Sequence, residues 1–390
     1  MYRPFISKHS FEMKKSLLII AGAVSLWTLA SCSSDSDMVN EVTIDPTTGV
    51  EVIHTPTEIQ LGSVATRSAI ESEDSVIKLG IFALAREKQD INKKAANIRW
   101  WDTTLDPDST WSFCLMKNVE GQKDGTAISW APHHYFYPIT QFYAYDFYAY
   151  HPYVDTDNID TTIVNRVAID YEIDGTKDIL WGRATQNSSI GYSAKYFRQG
   201  GSIPQIGLNH MLTRLRFCIE PGSSTELGAP NYEAAHEMTV DSIKIMQVQR
   251  NVTLTLANLG YDTGMSWAQR MQRNGTEKID LLLRGSDGNA AAAVRVPDAP
   301  STSSDDRVYF GESFLLFPEK SYVIRIWSHN MDNQKFRSET PLYVSTGNAS
   351  DGFLAGKSYT IQLTVHGAKE IELTATLSAW DEIDAQPVDL

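Results

Sequence analysis

Cys32 carries the thiol best placed for chemistry. It closes Leu29-Ala30-Ser31-Cys32, behind the basic pair Lys14-Lys15 and an apolar stretch from Leu17 to Ala30. A basic start, a short apolar middle and a small-residue end are the parts of an export signal, and a cysteine at the cut point can be acylated. The stretch is short for a membrane span and lacks a charged stop-transfer flank. Residues 1–31 are therefore expected to be a lipoprotein signal peptide with Met13 as its natural start. Lipid on Cys32 would hold the chain to a membrane surface, at roughly 0.8 kcal/mol per buried methylene.

The other reactive residue types do not assemble into a site. His133 and His134 are adjacent, and neighbours in a strand point to opposite faces, so they cannot share one ion with His151 without a bend. His210, inside Leu208-Asn209-His210-Met211-Leu212, reads as a packed, hydrogen-bonded histidine rather than a general base. Asp305-Asp306 sits in a Ser-rich stretch and reads as solvated charge. There is no Gly-x-Ser-x-Gly elbow, P-loop or dinucleotide fingerprint. No catalytic residue, metal ligand or cofactor is expected, and the chain does not read as an enzyme.

The charge balance narrows the partners. The chain stands at −14, and residues 1–32 hold four Lys/Arg against one acid, which leaves −17 beyond them. That balance argues against phosphate-backbone binding, which needs clustered Lys and Arg. Ser33-Ser34-Asp35-Ser36-Asp37 reads as a solvated tether or as an acidic tag for display at the cell surface. With Cys32 acylated, Cys114 and Cys218 remain; whether they pair is open, and two cysteines do not make a disulfide scaffold. The fold must rest on hydrophobic cores.

The elements that build those cores read as strands. Ile77 to Leu84, Tyr143 to Tyr150, Thr239 to Met246, Asn251 to Leu256, Tyr322 to Trp327, Tyr359 to Val365 and Ile371 to Leu377 are short runs rich in β-branched and aromatic residues. Turn clusters such as Pro221-Gly222-Ser223-Ser224 separate them, and no long segment carries a helical apolar stripe. Roughly 320 residues exceed what one core usually serves, so the expectation is an all-β chain of two sandwiches. The boundary is placed at Gly200-Gly201-Ser202-Ile203-Pro204, giving units 68–203 and 204–390. Within Tyr135 to Tyr153, aromatics either fill a core on both sides of a central strand or form a platform for glycans; core filling is the stronger reading.

Several segments together resemble the fimbrillin family of Bacteroidales. Tyr145-Asp146-Phe147-Tyr148-Ala149-Tyr150-His151-Pro152-Tyr153 is similar to its aromatic strand, and Asp178-Ile179-Leu180-Trp181-Gly182-Arg183-Ala184 to its next motif. Leu208 to Phe217, Phe353 to Ile361 and a last strand ending at Trp380 follow in family order. The resemblance implies two transthyretin-like β-sandwich domains in tandem. It further implies a structural pilus subunit or accessory adhesin, carried as a lipoprotein to the outer membrane and cell surface and then into the fimbrium. In the family an arginine-specific surface protease removes an N-terminal segment, and a neighbouring subunit supplies a strand to the vacated groove.

Here residues 32–67 would form the acylated tether and the removable first strand. Glu58 to Arg67 is strand-like, and the implied cut falls between Arg67 and Ser68, where Thr66-Arg67-Ser68 departs mildly from the family's pattern. The product 68–390 would carry 29 Lys/Arg against 41 acids, a net −12. The implied donor strand lies in the tail: Ile383 and Ala385 share one face of an extended segment with Pro387, and Val388 and Leu390 the other. Pro387 cannot donate a ladder hydrogen bond, so only part of the tail suits that role. The alternative is a lipoprotein that stays anchored and binds glycans or host surface proteins, a pilus anchor or a non-polymerising adhesin.

Overall fold

The computed structural model describes residues 42–44, 46–47, 51–53, 56–63, 76–86, 98–101, 113–138, 143–186, 191–223, 232–343, 352–367 and 371–378. Cys32, Arg67, Ser68, Ile383, Ala385, Val388 and Leu390 lie outside the described residues.

Alternating apolar and polar residues between glycine and asparagine turns produce strands almost throughout. Seven of them close into a barrel: Leu61–Ser63, Ala127–Ser129, Cys114–Asp124, Ile77–Arg86, Ala144–His151, Leu180–Ala184 and Gln205–His210 in spatial order. Every neighbouring pair in it is antiparallel except Leu61–Ser63 with Gln205–His210, which is parallel. A four-stranded sheet of Ile159–Asp160, Arg166–Glu172, Asn251–Asn258 and Met271–Arg273 packs against the barrel. Phe82, Tyr150, Ile169 and Leu254 belong to this one core.

The second core lies between two sheets. Val308–Leu316, Thr213–Pro221, Ser358–Val365 and Ile371–Ser378 form one; Lys278–Leu282, Thr239–Gln249, Ser321–His329 and Lys335–Tyr343 form the other, with Val294–Arg295 beside Thr239. Phe217, Ile243, Phe310, Ile324 and Ile361 fill the space between them and are fully buried.

The all-β fold and two cores match the sequence reading, and two details differ. The first unit is a closed barrel rather than an open sandwich, because Gln205 and Ile206 pair with Gly62 and Ser63 and join its two edges. Gly200-Gly201 ends the short helix Ala194–Arg198 instead of linking domains: Gly200 has φ +82° and Gly201 lies beneath the Tyr196 ring. The chain crosses to the second unit between Leu212, in the first core, and Thr213, where the first strand of the second unit begins. It returns to the first with residues 251–273, so neither unit is a single stretch of sequence.

Candidate functional site

The parallel seam of the barrel is the feature that the sequence motifs converge on. Glu58-Ile59-Gln60-Leu61-Gly62-Ser63 alternates, and the structure follows that alternation. Ile59, Leu61 and Ser63 are 1%, 5% and 2% exposed, whereas Glu58 and Gln60 face solvent. A period of two turns one face of the segment entirely into the barrel core.

Backbone pairing holds it on both sides. Thr57–Glu58 pairs antiparallel with Phe136–Tyr137, and the Ile59 amide donates to the Tyr135 carbonyl at 2.8 Å. The Gly62 amide donates to the Pro204 carbonyl at 2.9 Å and the Ser63 amide to the Thr126 carbonyl at 2.8 Å. Glu58 Oε1 and His134 Nδ1 pair at 2.5 Å on the surface. An exposed pair of this kind adds little beyond register. The strands approach closely at Gly62: a Cβ there would sit 2.5 Å from the side-chain amide of Gln205, an exposed residue that lies across the strand. Beside the segment runs a concavity of about 510 Å³, walled by Glu58, Gln60, Trp130, Pro132, His133 and Ile203.

A short segment thus closes the barrel with an apolar face and a few main-chain bonds. Without it, Ala127–Ser129 and Gln205–His210 would each present an unpaired edge beside exposed core. Such an edge accepts another strand readily.

The aromatic strand Ala144–His151 takes the core reading. Tyr145, Phe147, Tyr148 and Tyr150 are at most 2% exposed and Tyr143 is half-buried, so these rings do not form a sugar-stacking face. Their hydroxyls are satisfied inside: Tyr150 donates to Asn118 Oδ1 at 2.5 Å, and Tyr148 to Asp262 Oδ2 at 2.7 Å. Burial pushes the hydroxyl pKa of Tyr137, Tyr145, Tyr148 and Tyr150 well above the usual tyrosine value.

The remaining candidates resolve individually. His210 pairs through Nδ1 with Asp178, which is fully buried and also accepts from the Ile179 amide at 2.8 Å. His151 Nδ1 meets the Lys78 carbonyl at 2.9 Å, and His133 and His134 stay on the surface. Among the described residues no three His, Cys, Asp or Glu side chains converge on a metal-sized site. Asp306 is a loop carboxylate that accepts from Thr302 Oγ1 at 2.6 Å. Cys114 and Cys218 sit in different units as separate thiols, and burial pushes the Cys114 pKa up to about 12.

Sequence reasoning missed a buried ionic network at the layer interface. Arg183 Nη2 donates to Asp146 Oδ2 at 2.6 Å, with Arg86 Nε at 3.6 Å from the other oxygen. Arg270 Nη2 lies 3.5 Å from Asp262 Oδ1, and its guanidinium stacks 3.8 Å above the Trp181 ring. Tyr148 bridges the two pairs through Asp262. Burial works against the Arg183 charge, but Tyr148, Asp146 and Asp262 outweigh it and hold the group ionised. Nothing local in the sequence signals partners this far apart.

The family described as fimbrillin-like matches residues 64–380. No curated protein matches the chain. Solved structures resemble it distantly. A Bacteroides uniformis protein ascribed to cell adhesion is 14% identical with a TM-score of 0.46, over 84% of this chain and 99% of that one. The fimbrial anchor protein Mfa2 of Porphyromonas gingivalis is 11% identical with a TM-score of 0.33, over 83% and 99%. A fimbrial assembly protein of Parabacteroides distasonis is 7% identical with a TM-score of 0.39, over 83% and 99%.

Proposed function

The chain belongs to the fimbrillin-like family, and from that premise we propose that it is a pilus subunit or adhesin whose first strand is a removable plug. The observation that carries the reading is the segment from Thr57 to Ser63. It closes the barrel with three buried side chains, and Arg67 stands four residues beyond it. An arginine-specific protease cutting between Arg67 and Ser68 would turn that strand from part of the chain into a separate ligand. Its effective concentration, of millimolar order while tethered, would then vanish on dilution.

The vacated seam would take a strand from a neighbouring subunit, and the tail bearing Ile383, Ala385, Val388 and Leu390 is the proposed donor. Either Ile383 with Ala385 on one face, or Val388 with Leu390 on the other, would supply the apolar pair that Ile59 and Leu61 now form. The same cut separates 68–390 from the lipid on Cys32. In this reading Cys32 serves transport to the outer membrane surface, and the fimbrium is the destination. A chain that keeps Cys32 and is not cut would instead act as an anchor or a fixed adhesin.

Limited trypsin treatment of the full chain tests the proposal. The expected outcome is a new N-terminus at Ser68, loss of the 57–63 strand and a shift from monomer to oligomer in size-exclusion chromatography. Replacing Arg67 with Ala should abolish all three changes. A cleaved chain that remains a folded monomer would sink the polymer-forming reading.

A further inference from the structure

On the outer face of the second sandwich, far along the chain from the seam, Trp327 sits in a concavity of about 560 Å³. We propose that this face binds a carboxylated saccharide, with the indole as its stacking surface. The proposal is independent of strand exchange.

Ser321–His329 alternates, which turns Tyr322, Ile324 and Ile326 into the core and Arg325, Trp327 and His329 outward. Arg337 is directly opposite Trp327 in the register and is exposed. Lys244 Nζ and Arg325 Cζ stand 5.4 and 5.9 Å from the indole centroid, on the side away from the hairpin turn. Towards the turn the concavity continues past His329, Asn333 and Lys335.

A β-bulge gives the site its polar wall. Val240 pairs with Ser328 and Ser242 with Trp327, so Asp241 is the extra residue and is swung onto the outer face. Its Oδ1 meets His329 Nδ1 at 2.7 Å. That pair, with Asn333, supplies donors and acceptors suited to ring hydroxyls, while the indole matches the apolar face of a pyranose.

Charge selects the class of sugar. The 68–390 portion carries net −12, yet Lys244 and Arg325 flank the ring, Arg337 stands opposite it in the register and Lys335 lines the same concavity. Glu339 is taken by Arg325 at 2.6 Å and Asp241 by His329; Asp332 adds one more carboxylate in the turn. Arg337 and Lys335 form no ion pair with a described residue. A basic, aromatic concavity on an acidic protein complements a sugar that bears a carboxylate, and the planar guanidinium of Arg337 can bind that group through two nitrogens.

Titration of the full chain by tryptophan fluorescence, with neutral, uronate-bearing, sialylated and sulfated oligosaccharides in parallel, tests this. Uronate-bearing or sialylated chains should bind and perturb the fluorescence, and neutral chains of the same length should not. Trp327→Ala removes the reporter, so its affinity is read by titration calorimetry; it should fall roughly tenfold, the scale of one lost aromatic contact. Arg337→Glu, at an exposed position where folding is not at stake, should weaken it comparably and leave the Trp327 signal intact. The proposal is overturned if no carboxylated saccharide binds, or if neutral chains bind equally. Binding indifferent to both substitutions, or confined to sulfated chains and lost in salt, overturns it as well.

Discussion

Asp146 shows how a single side chain ties three neighbouring strands of the barrel together. Its carboxylate is almost wholly buried, and Arg183 and Arg86 supply its counter-charge. Deleting one member of such a buried pair leaves the other unpaired in a poorly solvating environment, which costs about 3–5 kcal/mol. Asp146→Ala should therefore lower the urea midpoint strongly. Asp146→Ala combined with Arg183→Met should cost less than the two single changes summed, because the second substitution removes the stranded charge. A double-mutant cycle from denaturant unfolding checks this, and additivity would show that the pair carries no coupling. The sequence could not announce it: Asp146 reads as one polar residue among tyrosines, and its partners come from other strands. By contrast, His210 was legible as a packed, hydrogen-bonded histidine because its sequence neighbours Leu208, Met211 and Leu212 are apolar, and all three lie in the first core.

At the scale of elements, two glycines at the seam meet different neighbours, and only one of them is indispensable. A Cβ on Gly62 would touch the amide of Gln205, the far end of an exposed and flexible side chain. A Cβ on Gly182 would lie 2.6 Å from the Gly207 carbonyl oxygen and from Ile206 Cγ2. Backbone cannot swing aside, so Gly182→Ala must push Leu180–Ala184 away from Gln205–His210, the strand that closes the seam. Overpacking of this sort costs about 1–3 kcal/mol. Gly62→Ala should stay close to wild type in thermal unfolding while Gly182→Ala loses stability, and a reversed ranking would mean that the seam is not held as described. Strand periodicity located the closely paired elements well: Ile77–Arg86, Ala144–His151, Asn251–Asn258 and Ser358–Val365 coincide with runs visible in the sequence. Cys114–Asp124 did not stand out. Its inward residues are interrupted by Asn118 at φ +50° and by Gly121, so the period of two is broken where the strand bends around the barrel.

The two-core plan of the whole molecule was legible from length and strand count, but the assignment of strands to cores was not. Sheet membership depends on pairings between distant segments, such as Arg166–Glu172 with Asn251–Asn258, and no local pattern encodes them. That assignment sets the response of the molecule to pH. Tyr137, Tyr145, Tyr148, Tyr150 and Tyr171 belong to the first core, and burial raises the pKa of each. In the second core, Tyr322 and Tyr359 are raised in the same way. The neutral phenol is the form the fold accepts, so the unfolded chain releases these protons first, from about pH 10 upward. Between the unfolded and folded values the native state binds more protons, and stability falls as pH rises. The contribution is fully present below about pH 10 and is lost above it. The loss should fall mainly on the first unit, because more of the raised phenols lie there. Hydrogen exchange followed by mass spectrometry at increasing alkaline pH should show peptides of Ile77–Arg86 and Ala144–His151 losing protection before those of Ser321–His329 and Ser358–Val365. Simultaneous loss in both units would mean that the contacts joining them, Leu315 and Phe317 packed into the first core and Trp267 against Phe317, make the chain unfold as one body.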